Sequence, residues 1–87
     1  MIDYEGCVVV LDTDSSWVYI GTFNRASNET MVVLDEADAF NTSETTLTRH
    51  EYLMKVKRDG IVSNRRSLRV MKRRIVSISL LDDILIE

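Results

Sequence analysis

The chain has 87 residues, 45% of them apolar and 29% charged, with a formal net charge of −3. That length makes one domain with a small core, and the apolar content argues for a folded chain rather than a disordered one. With no proline, three glycines and a single cysteine, the composition excludes a glycine-rich phosphate loop, an internal disulfide and a multi-cysteine metal site.

The predicted elements are mostly strands. Cys7–Leu11 is short and β-branched, and the polar cluster 12–16 turns the chain. Trp17, Tyr19, Gly21 and Phe23 then alternate with Val18, Ile20 and Thr22. Apolar groups on both faces describe a strand covered on both sides. Gly21 inside it predicts a sharp bend, a bulge or a close backbone approach. Asn24–Thr30 is a polar turn, and Met31–Leu34 begins a third strand that runs on towards Ala37. Residues 40–66 form a long connection with two readings. Thr42–Lys57 fits a helix capped by Thr42 or Ser43, with Gly60 just past its end. Four threonines, followed by alternation through Tyr52, Met54 and Val56, favour a strand over Tyr52–Lys57 turning at Asp59-Gly60. Leu68–Met71 and Ile75–Leu80 are two further strands around the basic turn Lys72-Arg73-Arg74. The apolar tail Ile84-Leu85-Ile86 is expected to dock on the core or on a neighbour.

Charge is distributed unevenly. Residues 49–74 hold ten bases against two acids, a formal +8, whereas residues 1–48 hold one base against nine acids, a formal −8. Such asymmetry predicts an anionic partner, a complementary neighbour, or both. Lys72, Arg73 and Arg74 carry the sharpest part of it, because adjacent cations repel unless an anion or solvent screens them. Lys55, Lys57, Arg58, Arg65, Arg66 and Arg69 are read as a solvated or acid-paired face. Asp12, Asp14, Asp35, Glu36 and Asp38 are read as solvated acids, since no calcium-loop spacing follows them. Cys7 reads as a small buried apolar group and His50 as a surface side chain. Trp17 and Tyr19 point the same way, as a stacking pair does, and are assigned to core or subunit packing.

Five of these strands, those outside the 40–66 connection, with a glycine bend in the second, describe a small, strongly bent antiparallel barrel, an all-β fold. In this frame the chain resembles the Sm-like (LSm) proteins. Val8, Val10 and Leu11, then Tyr19, Gly21 and Phe23, then Leu34 and Ala37 follow the first Sm motif. Val70, Ile75 and Ile78 frame the second. The chain departs from the family at Ser27, which replaces an Asp, at Met31, which replaces the Asn that contacts a uracil base, and at Met71-Lys72, which replaces Arg-Gly. A full N-terminal helix is not expected ahead of the first strand. A competing register, with the second motif at Lys57–Gly60, is disfavoured because it leaves over twenty residues beyond the barrel.

The resemblance implies a homo-oligomeric ring, closed by the fourth strand of one copy pairing with the fifth of the next. It also implies RNA or another single-stranded nucleic acid at the pore, held by the two motif turns. The candidate contacts are Asn24, Arg25 and Asn28 in one turn and Lys72, Arg73 and Arg74 in the other. Without the family's base-reading residues, contact falls mainly on the nucleic-acid backbone, with low sequence selectivity. The alternative is a ring that serves only as a protein-interaction scaffold. No constellation supports an enzyme, a cofactor or a metal site. With no apolar run long enough to span a membrane and no leader sequence, an intracellular, soluble protein is expected.

Overall fold

The computed structural model describes residues 4–85. Its strands are β1 (Val8–Thr13), β2 (Trp17–Phe23), β3 (Met31–Asn41), β4 (Arg65–Met71) and β5 (Ile75–Leu80). They form one antiparallel sheet in the order β4-β3-β2-β1-β5. β4 and β5 are consecutive in the chain yet lie at opposite edges. A flat sheet would hold those edges about 19 Å apart. The connection Lys72–Arg74, a single 3-10 turn, reaches at most about 14 Å. The sheet therefore curls into a bent barrel, as the strand pattern predicts.

Gly21 makes the curl possible. Between the pairs Ile20–Asp38 and Thr22–Asp35, β2 contributes one residue, Gly21, while β3 contributes Glu36 and Ala37. This is a bulge, and it bends the bulged strand. Glu36 absorbs the bend at φ +48°. A Cβ on Gly21 would lie 2.9 Å from the Ala37 Cβ and 3.0 Å from the Leu34 Cβ. Gly21 and Ala37 are small for the same reason: two backbones approach closely there.

Both faces of the central strands are covered, which accounts for their apolar runs. On the concave side, Val9, Leu11, Phe23, Val32, Leu34, Ala37 and Val70 form the barrel core. On the convex side, Val10, Val18 and Ile20 pack against Tyr52, Leu53 and Val56. Those last three lie on α1 (Arg49–Asp59), an α-helix in the β3–β4 connection. Burying each such side chain fully contributes about 1.5–3 kcal/mol.

The strand expected over Tyr52–Lys57 is therefore corrected to helix. The Thr48 hydroxyl accepts from the Glu51 amide, and the Glu51 carboxylate accepts from the Thr48 amide, a complete capping box. Gly60 ends the helix at φ +90°, its amide donating to Val56 O at 2.7 Å. Tyr52, Leu53 and Val56 are buried, a stripe at helical rather than strand spacing. Phe40 stacks on Tyr52 at 3.8 Å between centroids, and the Tyr52 hydroxyl donates to Asp38. Burial, reinforced by Asp38, pushes the Tyr52 pKa well above the usual tyrosine value. Asp38 is thus a structural acceptor rather than a freely solvated acid.

The helix also fixes the far end of the chain. Lys57 Nζ donates to Asp82 O at 2.9 Å and to Ile84 O. Ile84 packs against the convex cluster, Leu85 is 78% exposed, and Ile86 lies outside the described residues. Of the two dockings expected of the tail, that on its own core is met at Ile84. No helix among the described residues is long and apolar enough to cross a membrane.

Candidate nucleic-acid interface

The two turns singled out in the sequence meet in space. Met31 of β3 pairs with Met71 of β4, and the Lys72 amide donates to Thr30 O at 2.9 Å. The connection following β4 thus abuts the β2–β3 turn, as the favoured register requires. The competing register fails because Lys57–Gly60 is the end of α1.

Most polar groups of the β2–β3 turn are used by the turn itself. Asn24 Nδ2 donates to Asp35 Oδ2 at 2.8 Å, and Asn24 Oδ1 accepts from the Ala26 amide at 2.7 Å. Ser27 Oγ donates to Asn24 O at 2.7 Å and accepts from the Val33 amide at 2.8 Å. Asn28 Oδ1 accepts from the amides of Thr30 and Met31 and from the Thr30 hydroxyl. Asparagine and serine commonly hold turns in this way. Arg25, exposed at the tip, makes no side-chain contact of this kind among the described residues.

The β4–β5 turn is different. Among the described residues, Lys72 and Arg73 have no ion pair or side-chain hydrogen bond. Arg74 Nη1 lies 3.6 Å from Asp14 Oδ2, with both side chains about half exposed at 63% and 48%. Such a surface pair contributes little and leaves the guanidinium available. Among the described residues, no group of His, Cys, Asp and Glu could hold a metal ion.

Two grooves flank this turn. The larger, about 590 Å³, runs between the β2–β3 turn and β5 and brings together Arg25, Asn28 and Lys72. Its walls are largely apolar, from Phe23, Val32 and Ile78, and Glu5 and Glu29 offset its two cations. The smaller, about 320 Å³, lies between β2, β4 and the β1–β2 turn. Arg74 lines it, together with Arg69, Trp17 and Tyr19. Asn24 and Arg73 line neither groove. The placement of Arg69 beside the aromatic pair carried no signal in the sequence, because it depends on β4 crossing the barrel.

Trp17 and Tyr19 are stacked, 6.1 Å between centroids with planes 6° apart, and of the two Tyr19 packs against the barrel core. Cys7 is half-buried and His50 exposed. Asp12 accepts from Ser77 Oγ at 2.9 Å and lies 3.5 Å from Arg49, so it is paired as well as partly solvated.

No protein-family model matches the chain, and no curated protein sequence matches it significantly. Among solved structures it is similar to the Sm protein of Pyrococcus abyssii, determined in complex with a uridine heptamer. The two share 14% identity over 90% of this chain and 87% of that one, with a TM-score of 0.60. Identity that low carries the fold alone: this chain has the bent five-stranded barrel of an Sm protein, with its covering helix supplied by the β3–β4 connection.

Proposed function

We propose that the protein assembles into a homo-oligomeric ring that binds RNA or another single-stranded nucleic acid, chiefly through the sugar–phosphate backbone. The observation that carries this reading is the meeting of the two turns, with Arg25, Lys72 and Arg73 side chains that have no ion pair or hydrogen bond among the described residues. A ring would gather one such set per copy around its axis. Phosphates are the natural counter-ions, and release of condensed cations would drive binding. The uridine heptamer bound by the structurally similar Sm protein supports the same ligand class.

Low sequence selectivity follows from the paired methionines. Met31 and Met71 stand at the two positions where Sm-like proteins carry base-reading Asn and Arg, and they face each other across the β3–β4 pair. Thioethers offer no donor for a uracil edge.

The sheet order supports assembly. β4 and β5 each have a partner on one side only, and unpaired edges invite pairing between copies. An antiparallel contact between β4 and the β5 of a second copy would set Arg65 and Arg66 against Asp82 and Asp83. It would also bring Met71, 40% exposed, to the apolar larger groove beside Val76, 70% exposed. The contact is heterologous, so it closes only as a ring.

Light scattering of the full chain, with and without oligouridine, tests both parts. The expected result is an oligomer whose oligonucleotide binding weakens as salt rises. A monomer overturns the ring, and no binding at low ionic strength overturns the nucleic-acid reading. The edge charges also favour a second reading, a scaffold held by acid–base pairing. In that case high salt dissociates the oligomer, and oligouridine leaves its mass and salt sensitivity unchanged.

A further inference from the structure

The smaller groove suggests a second task. Trp17 and Tyr19 are half-buried and lie on the face of β2 opposite Val18 and Ile20. The latter pair already holds α1, Tyr19 packs at the edge of the barrel core, and Trp17 belongs to neither core cluster, so the outer part of the shelf is not required by the helix. The shelf is flat, with planes 6° apart. Two arginines, Arg69 and Arg74, are among the residues that line the groove. Among the described residues the Arg69 side chain has no ion pair or hydrogen bond, and the Arg74 side chain has only the 3.6 Å contact with Asp14. Arg74 also belongs to the basic turn, so this groove begins where the Lys72–Arg74 cations end.

We infer that the Trp17–Tyr19 shelf is a nucleotide subsite, which stacks one unpaired base of a bound strand and places the adjoining phosphate on Arg69 and Arg74. This rests on the nucleic-acid reading above and extends it to a second place on the barrel. An unpaired base with its phosphate matches both halves of the groove, because aromatic faces stack any base while arginines hold the backbone. An apolar peptide would leave both guanidiniums uncompensated, and an acidic one would leave the shelf without a flat partner. At about 320 Å³ the groove has room for one nucleotide rather than a helix. A strand leaving the basic turn at Arg74 reaches the shelf directly, so the subsite prolongs the path of the chain.

Trp17 is the only tryptophan in the chain, so its emission reports on this groove alone. The full chain is titrated with unlabelled oligouridine while tryptophan emission is followed. Anisotropy of a fluorescein-labelled oligouridine, measured separately, reports total binding. The expected result is saturable quenching over the same concentration range as the anisotropy change. Arg69→Ala should weaken binding several-fold, Trp17→Leu roughly tenfold, and Trp17→Phe far less. Circular dichroism checks folding, and Arg69→Ala with the wild-type emission decides the matter if Trp17→Leu does not fold. Normal anisotropy with unchanged emission and wild-type affinity in Arg69→Ala overturns the subsite and leaves the nucleic-acid reading intact. No anisotropy change at low salt overturns both. Emission that follows protein concentration rather than oligonucleotide assigns the groove to subunit contact and overturns the subsite.

Discussion

The β2–β3 and β4–β5 turns touch, yet they are built on opposite plans. In the first, the side-chain oxygens of Asn24, Ser27 and Asn28 accept backbone amides of the turn and of β3. In the second, the Lys72 amide anchors to Thr30 while the Lys72 and Arg73 side chains hold no partner among the described residues. The difference teaches that a polar side chain in a turn is not thereby available to a ligand. One turn is scaffold, and the other is supported by it. Cations placed without local partners mark the side from which an anion would be met.

This division can be broken from either side. Changing Lys72, Arg73 and Arg74 together to Ala should give the largest effect. Oligonucleotide affinity should fall by on the order of a hundredfold at low salt. The slope of log affinity against log salt should flatten by about 2 for each strand segment lying along one subunit. Thermal unfolding should barely move, since these side chains support nothing but the Asp14 contact. Asn28→Ala should do the reverse. It removes an acceptor for three donors and should cost about 1–2 kcal/mol in denaturant unfolding. Binding by the folded fraction should remain near wild type. The smallest effect is expected from Arg25→Ala, the one cation of the scaffold turn. A loss of roughly threefold in affinity with unchanged stability would mark it as an outlier within its own turn. A stability loss on removing the basic turn, or a binding loss confined to Asn28→Ala, would erase the distinction.

The barrel was legible in the sequence because its signals are local. Gly21 and Ala37 announce the close approach of two strands, and the β1 and β2 runs announce cover on both faces. The helix was harder to read. Threonines at 42, 45, 46 and 48 suggest strand, and Tyr52, Met54 and Val56 imitate its alternation. The deciding signal was present: Thr48 and Glu51 are spaced as a capping box ahead of an apolar run, with Gly60 beyond. The stack of Phe40 on Tyr52 completes the helix through tertiary contact, which no local pattern encodes. At the candidate interface, the basic turn stood out by charge alone. The role of Asn28 in holding its own turn is the ordinary behaviour of asparagine there. The Arg69 placement needed the fold.

The 3-10 turn also acts as a clasp. Its first residue is tied to the β2–β3 turn through Thr30, and its last accepts from the Asp14 amide beside the β1–β2 turn at 3.0 Å. Three residues thus latch together connections that lie at opposite ends of β2. Any ligand held by their side chains also holds the latch, so occupancy and closure of the barrel are thermodynamically linked. In the proposed ring, loading one subunit would then stiffen the two edges it offers to its neighbours, and such an assembly would be most firmly built when full.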